Sequence, residues 1–216
     1  DYVRQLGFTH VELMPVMEHL HPDSWGYKVN GYFSALSRLG SPQDLMFLVD
    51  YLHRHAIGVI VDWPPAHFAD DPHGMAKFDG THLYDHEDES QGYHPAWHTR
   101  VFDFGRNEVR SFLLSSALFW LEKYHFDGIR IDAVSSMLYR DYARDGRRWV
   151  RNWDGGGENH EAASLLQQLN VRIQSDFPGV ATFAEESSDW PRVTKPVSDG
   201  GLGFTFKWDM AWTFDM

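Results

Sequence analysis

Short apolar runs alternate along this chain with segments of helical periodicity, and that alternation constrains the fold more than any other feature. "THVELMPV" (9–16), "IGVIVDW" (57–63), "GIRIDAV" (128–134), "GVATFAEE" (179–186) and "GLGFTFKW" (201–208) read as strands. "SPQDLMFLVDYLHRH" (41–55) predicts a helix with Ser41 as N-cap, Pro42 at the first helical position and Asp44 in the first turn. Its apolar stripe is Leu45, Leu48, Val49 and Leu52. "EVRSFLLSSALFWLEKYH" (108–125) predicts a second helix, with Val109, Phe112, Leu113, Ala117, Trp120, Leu121 and Tyr124 on one face, and a third is expected near 158–175. Near-continuous apolar strands separated by helices imply a parallel sheet covered by those helices. A doubly wound sheet and a (β/α)8 barrel both fit. No glycine-rich phosphate-binding pattern follows any strand, which weakens the nucleotide-binding version of the first.

Composition narrows the partners. At 216 residues the chain can bury a substantial core, and 43% hydrophobic residues fit a globular protein of one or two domains. A formal charge of −12 disfavours nucleic acid, whose phosphates need clustered Lys and Arg. No run of 18 apolar residues suggests a membrane span, and no cationic, apolar leader opens the chain, so a cytoplasmic location is the expectation. The absence of cysteine excludes disulfides and thiolate metal sites. Nine Trp, nine Tyr and 15 Phe supply flat rings suited to sugars, although most are expected in the core. A polar segment at about 68–107, rich in His, Asp, Gly and Pro, is long enough to be an excursion with a function or a small fold of its own.

Three strand patterns end in a carboxylate: Asp62 in "VIVDW", Asp132 in "IRID" and Glu185 in "TFAE". Barrel enzymes assemble their active sites from the C-terminal ends of several strands, so three acids on one rim favour the barrel. Side chains alternate along a strand, which places Arg130 and Asp132 together on the face opposite Ile129 and Ile131. Such a pair is costly unless it has a purpose. Retaining glycoside cleavage uses two carboxyl groups about 5 Å apart, one as nucleophile and one as acid/base. Asp132 suits the nucleophile, with Arg130 expected to lower its pKa. Glu185, preceded by Phe183 and Ala184, suits the acid/base, which burial beside apolar groups would keep protonated.

"VIVDWPPAHF", "FDGIRIDAV" and "ATFAEESSDWP" resemble the first three signature regions of the α-amylase superfamily (glycoside hydrolase family thirteen). More narrowly, "DSWGYKVNGYFSALSRLGSPQDL", "ALFWLEKYHFDGIRIDAVSSMLYRDY" and "AEESSDWPRVTKPVSDGGLGFTFKWDM" resemble the bacterial glycogen branching enzymes across essentially the whole chain. The resemblance implies Asp132 as catalytic nucleophile, Glu185 as general acid/base and Arg130 as the nucleophile's support. It implies that Asp62 and His67 contact the sugar at the cleavage point and that Tyr27, in "SWGYKVNGYF", stacks on it. The implied activity is transglycosylation: an α-1,4-glucan such as glycogen or amylose is cleaved and transferred to a 6-hydroxyl to make an α-1,6 branch. No metal and no cofactor are implied, and a monomer is expected. An α-glucan hydrolase and a non-catalytic glucan-binding fragment are the alternatives.

The resemblance also sets limits. No match to the family's fourth region, a His-Asp pair late in the barrel, occurs before Met216. A full barrel takes about 250 residues, and the patterns here account for about strands 2 to 6. Residues 1–216 are therefore expected to form part of a catalytic (β/α)8 domain and to be inactive alone. Pro64 stands where the family usually has an aliphatic residue, and an effect on the following loop is expected. His82, His86, His94 and His98, with Asp85, Glu87, Asp88 and Glu89, match no metal-site spacing and are expected to be solvated loop residues. Trp25 is either a sugar platform or a packing residue. Glu186 should point away from Glu185, and Glu12 has no cation near it in sequence.

Overall fold

A computed structural model describes residues 1–144 and 148–208. Five parallel strands pair in chain order: β1 (His10–Leu13), β2 (Gly58–Trp63), β3 (Gly128–Ile131), β4 (Ala181–Glu185) and β5 (Phe206–Trp208). Three long helices run between them: α1 (Pro42–Arg54), α2 (Asn107–Tyr124) and α3 (His160–Asp176). This is a parallel sheet with covering helices, as the alternation predicts, and it fits part of a (β/α) barrel.

Two of the long helices, α1 and α3, start at side-chain caps. Ser41 Oγ accepts from the Asp44 N–H, and the Asp44 carboxylate accepts from the Ser41 N–H, a reciprocal box that closes the first turn of α1. Asn159 caps α3 through its side chain, which accepts from the Ala162 N–H. Helix α2 ends where His125 takes a left-handed conformation and donates its N–H to the Leu121 carbonyl. Six residues of its expected face are buried, and Phe112, half-buried, sits edge-on to Tyr32 and Phe33. Helix α1 departs from the prediction: Leu48 is 41% exposed with Phe47 and Tyr51, and only Val49 is fully buried. Its stripe is covered on one side alone among the described residues.

Register separates the two faces of the sheet. Val59, Val61, Trp63, Ile129, Ile131 and Ala184 form the apolar face that the helices cover. On the other face Asp62 lies directly beside Arg130, and Arg130 beside Phe183. Gly128 lets the strands pack closely there, since a Cβ would come within 3.0 Å of the Phe183 ring and 3.1 Å of Ile60 and push both aside.

Several strands are shorter than their apolar runs. Strand β1 stops at Leu13, just before Met14 and Pro15, and proline supplies no N–H to a ladder. Strand β3 stops at Ile131, because Ala133 is left-handed (φ 53°) and opens a short helix at Val134–Leu138. The 201–208 run pairs only from Phe206. The carbonyls of Gly201, Leu202 and Gly203 accept instead from the side chains of Gln167, Asn170 and Gln174 on α3. Beyond Trp208, the terminal "WDMAWTFDM" stretch lies outside the described residues.

The polar excursion has its own small fold, a three-stranded antiparallel sheet from His67–Ala69, Tyr93–His94 and Thr99–Val101. That corrects the expectation of a solvated loop, since Asp85 and His94 are buried. His82 pairs with Asp85, His86 with Asp103, and His98 Nδ1 with the Tyr93 hydroxyl. Pro64 sits just past β2 without costing a ladder bond, and its carbonyl accepts from the Tyr32 hydroxyl at 2.8 Å.

Candidate active site

The face of β1 to β4 that the helices do not cover converges on one guanidinium. Arg130, 5% exposed, donates from Nη1 to Asp62 Oδ2 (2.5 Å) and Asp132 Oδ1 (3.2 Å). Its Nη2 meets Glu185 Oε2 at 2.8 Å. Glu12 Oε1 lies 4.0 Å from Nε on the remaining side. The rings of Trp208 and Tyr27 stand 4.9 and 5.9 Å from the guanidinium carbon. Arg130 thus binds all three rim acids, where the sequence suggested a partner for Asp132 alone.

Tyr27 donates its hydroxyl to Asp62 Oδ2 at 2.6 Å and accepts from Arg130 Nη1 at 3.2 Å. Glu185 Oε2 also accepts from the Ala133 N–H at 2.8 Å. The left-handed turn at Ala133 aims that N–H across the gap between β3 and β4. Glu185 therefore sits among donors, a quarter exposed, and not in the apolar pocket that Phe183 and Ala184 suggested.

The proton affinities follow from this crowding. Burial, then the neighbouring Glu185 charge, push Asp132 well above the usual carboxylate range, and Arg130 pulls only partly the other way. This reverses the expected direction, because Arg130 is shared among several carboxylates while the desolvation falls on Asp132 in full. Asp62 is raised by burial against the opposing pull of Arg130, and Glu12 is pushed up to about 7 by burial and Asp62. Crowding and burial around one cation thus raise the proton affinity of Asp62, Asp132 and Glu12. His67 is buried, and burial lowers it to about 3, so its imidazole is neutral; Nδ1 has no partner among the described residues.

These groups open onto a cleft of about 310 Å³ that Tyr27, His67, Asp132 and Glu185 share with Lys28, Trp97 and Tyr142. Two carboxyl groups on one cation, an aromatic ring and a neutral imidazole beside a half-open cleft suit attack on a neutral, hydroxyl-rich substrate.

The chain is 56% identical over 215 residues to the 1,4-alpha-glucan branching enzyme GlgB of Albidiferax ferrireducens. It is 57% identical over 214 residues to the enzyme of that name from Aquifex aeolicus. Each alignment spans 99–100% of this chain and 34% of the relative, so the chain spans about a third of the length of these curated relatives. By sequence, the chain is a segment of the branching-enzyme family. No family model matches it. Among solved structures, the alpha-amylase of Geobacillus thermoleovorans superimposes with a TM-score of 0.70 at 20% identity, covering 98% of this chain and 43% of that one. An Anoxybacillus alpha-amylase gives 0.73 at 18%, covering 100% and 44%. These two likenesses bear on the fold, which is alpha-amylase-like.

In this branching-enzyme segment, the six site residues expected from sequence (Tyr27, Asp62, His67, Arg130, Asp132 and Glu185) come together within one site. Sequence reasoning left Glu12 unassigned and did not single out Lys28, Trp97 or Tyr142. Glu12 carried one signal, a charge inside an apolar strand. Its partner lies 118 positions away, which no local pattern reveals. Glu186 points away from Glu185, as the alternation requires. It is fully buried, pairs with Lys207 Nζ at 2.8 Å and accepts from Ser135 Oγ at 3.0 Å, which ties β4 to β5 and to the turn after β3. Trp25 is 70% exposed and lines a separate apolar cavity beside α1.

Proposed function

We propose that this chain is part of the catalytic barrel domain of a branching enzyme that cleaves an α-1,4-glucan and rejoins the piece through an α-1,6 bond. The observation that carries the reading is the gathering of Asp132 and Glu185 on Arg130, in a chain 54–57% identical along its length to branching enzymes. Asp132 attacks the anomeric carbon while Glu185 protonates the departing 4-oxygen, leaving a glucosyl ester on Asp132. Glu185 then takes the proton from an incoming 6-hydroxyl, whose oxygen displaces Asp132, and two inversions retain the anomeric configuration. The crowding around Asp132 supports a pair that keeps one proton between its members. Arg130 bonds both carboxyls, so an ionised Asp132 keeps a cation beside it as it attacks. Tyr27 presents its ring to the sugar, and Asp62 and the neutral His67 hold its hydroxyls.

Among the described residues no helix is long and apolar enough to cross a membrane. The reading extends to a cytoplasmic monomer acting on glycogen or amylose, which cell fractionation and sedimentation test. Activity is tested on the full-length protein with amylose. Iodine colour should fall without a matching rise in reducing ends, and Asp132→Asn should abolish the change. Reducing ends released in step with the colour loss would replace branching with hydrolysis. Transfer surviving in Asp132→Asn would remove Asp132 as nucleophile.

A further inference from the structure

Glu186 is a fully buried carboxyl that takes no part in the steps above. Alternation sends Glu185 into the cleft and Glu186 to the opposite side, where it lines no part of the cleft. A carboxyl so placed is costly unless its oxygens are bonded. Oε1 accepts from Ser135 Oγ at 3.0 Å, from the Ser188 N–H at 2.7 Å and from the Ser188 hydroxyl. Oε2 lies 2.8 Å from Lys207 Nζ, which also donates to the Ser188 carbonyl at 3.2 Å. Ser135 Oγ in turn accepts from the Ser187 N–H at 2.9 Å. One side chain thus joins the end of β4, the short helix at Val134–Leu138 and strand β5.

Each of these attachments leads to a group that fixes Glu185. Ser135 belongs to the short helix that Ala133 opens, and the Ala133 N–H donates to Glu185 Oε2 at 2.8 Å. Ala133 is left-handed (φ 53°), a conformation that a residue with a Cβ keeps only where its surroundings enforce it. The buried bond from Ser135 to Glu186, two residues on, is one such constraint, and Ser136 Oγ on the Ala133 carbonyl at 2.8 Å is another. Lys207 precedes Trp208, the residue in register with Glu185, whose ring stands 4.9 Å from the Arg130 guanidinium carbon. Arg130 Nη2 meets the same Glu185 Oε2 at 2.8 Å. Both donors to Glu185 are therefore braced by segments that converge on Glu186.

We propose that Glu186 is a positioning residue for the acid/base: through Ser135 and Lys207 it holds the Ala133 turn and β5, and so keeps the Glu185 carboxyl in reach of the departing oxygen. The inference rests on the acid/base reading of Glu185 above. A misplacement of about 1 Å costs about 100-fold in rate. The test compares two donors in the full-length protein, amylose and α-maltoheptaosyl fluoride. With the second, Asp132 attacks the anomeric carbon and the C–F bond breaks with its electron pair on fluoride. Fluoride leaves without a proton, so this step needs no acid. In Glu186→Gln, kcat on amylose should fall about 10–100-fold with KM within about threefold, since Glu186 touches no substrate. Its kcat/KM for the fluoride, read as fluoride release, should stay within about threefold of wild type. Ser135→Ala should lose several-fold on amylose alone, and it carries the test if Glu186→Gln does not fold by circular dichroism. An amylose kcat within about twofold of wild type in the folded variants, or an equal loss on both donors, would overturn the positioning role and leave the branching reading standing. If Glu185→Gln still branches amylose, the acid/base reading falls and takes this inference with it.

Discussion

Replacing Arg130 by methionine removes the only cation bonded to Asp62, Asp132 and Glu185 among the described residues while preserving most of the side chain's length. The wild-type guanidinium meets these three carboxylates at 2.5, 3.2 and 2.8 Å and is almost wholly buried. Asp62 would keep the Tyr27 hydroxyl and Glu185 the Ala133 N–H, so each acid retains some compensation. Breaking a buried pair by removing one partner costs about 3–5 kcal/mol, and the upper end is expected because several acids lose the same cation. For a protein of this size that corresponds to a fall in Tm of roughly 6–20 °C. The loss must depend on pH. Without Arg130 the folded-state pKa values of Asp62 and Asp132, already raised by burial, rise further above their unfolded values. The variant therefore takes up protons on folding and loses stability as pH rises through those values. Differential scanning calorimetry of wild type and Arg130→Met at pH 5 and pH 8 measures both effects. The gap in Tm should be clearly wider at pH 8. An equal gap at the two values, or a loss under about 1 kcal/mol, would refute the assignment of Arg130 as the compensating charge.

Glu12→Gln tests the fourth acid. Because the folded pKa of Glu12 is raised from 4.5 to about 7, its contribution is present below pH 4.5 and lost as pH rises through 7. The glutamine variant should gain on the wild type over that interval in urea unfolding, and parallel pH profiles would contradict the shift. Tyr32→Phe removes a buried hydroxyl 2.8 Å from the carbonyls of both Pro64 and His67. A loss of about 1–3 kcal/mol is expected in thermal unfolding, with a higher KM for glucan as the His67 loop loosens. Gly92→Ala would place a Cβ 2.1 Å from the His86 carbonyl oxygen, and backbone must move to admit it. Limited proteolysis should then cut within residues 67–107 well before the wild type is cut there, and unchanged resistance would mean that the turn can adapt.

Much of the fold was legible because its signals are local. The Ser41–Asp44 box, the apolar face of α2 and the alternation in "FDGIRIDAV" involve residues within a few positions of one another. The strand ends were less legible. Whether an apolar run pairs depends on what lies beside it, as at 201–205, where α3 side chains take the carbonyls. The six expected site residues follow from motif and face. The loop histidines misled, because a polar composition cannot tell a solvated stretch from one that folds on itself and buries His94 under Trp97.

By itself the sequence determined that Arg130 and Asp132 share a face, since a strand's period of two leaves no alternative. It also determined that acids stand at the ends of three successive strand patterns. Tertiary structure alone decided that Glu12, Asp62 and Glu185 crowd onto the same guanidinium. It alone decided that Trp97 and Tyr142, 45 positions apart, meet across one cleft. It also set the direction of the Asp132 shift, against the sequence-based expectation. The physical reason is common to all three: desolvation and Coulomb interaction depend on distance in space, and register and loop folding set that distance.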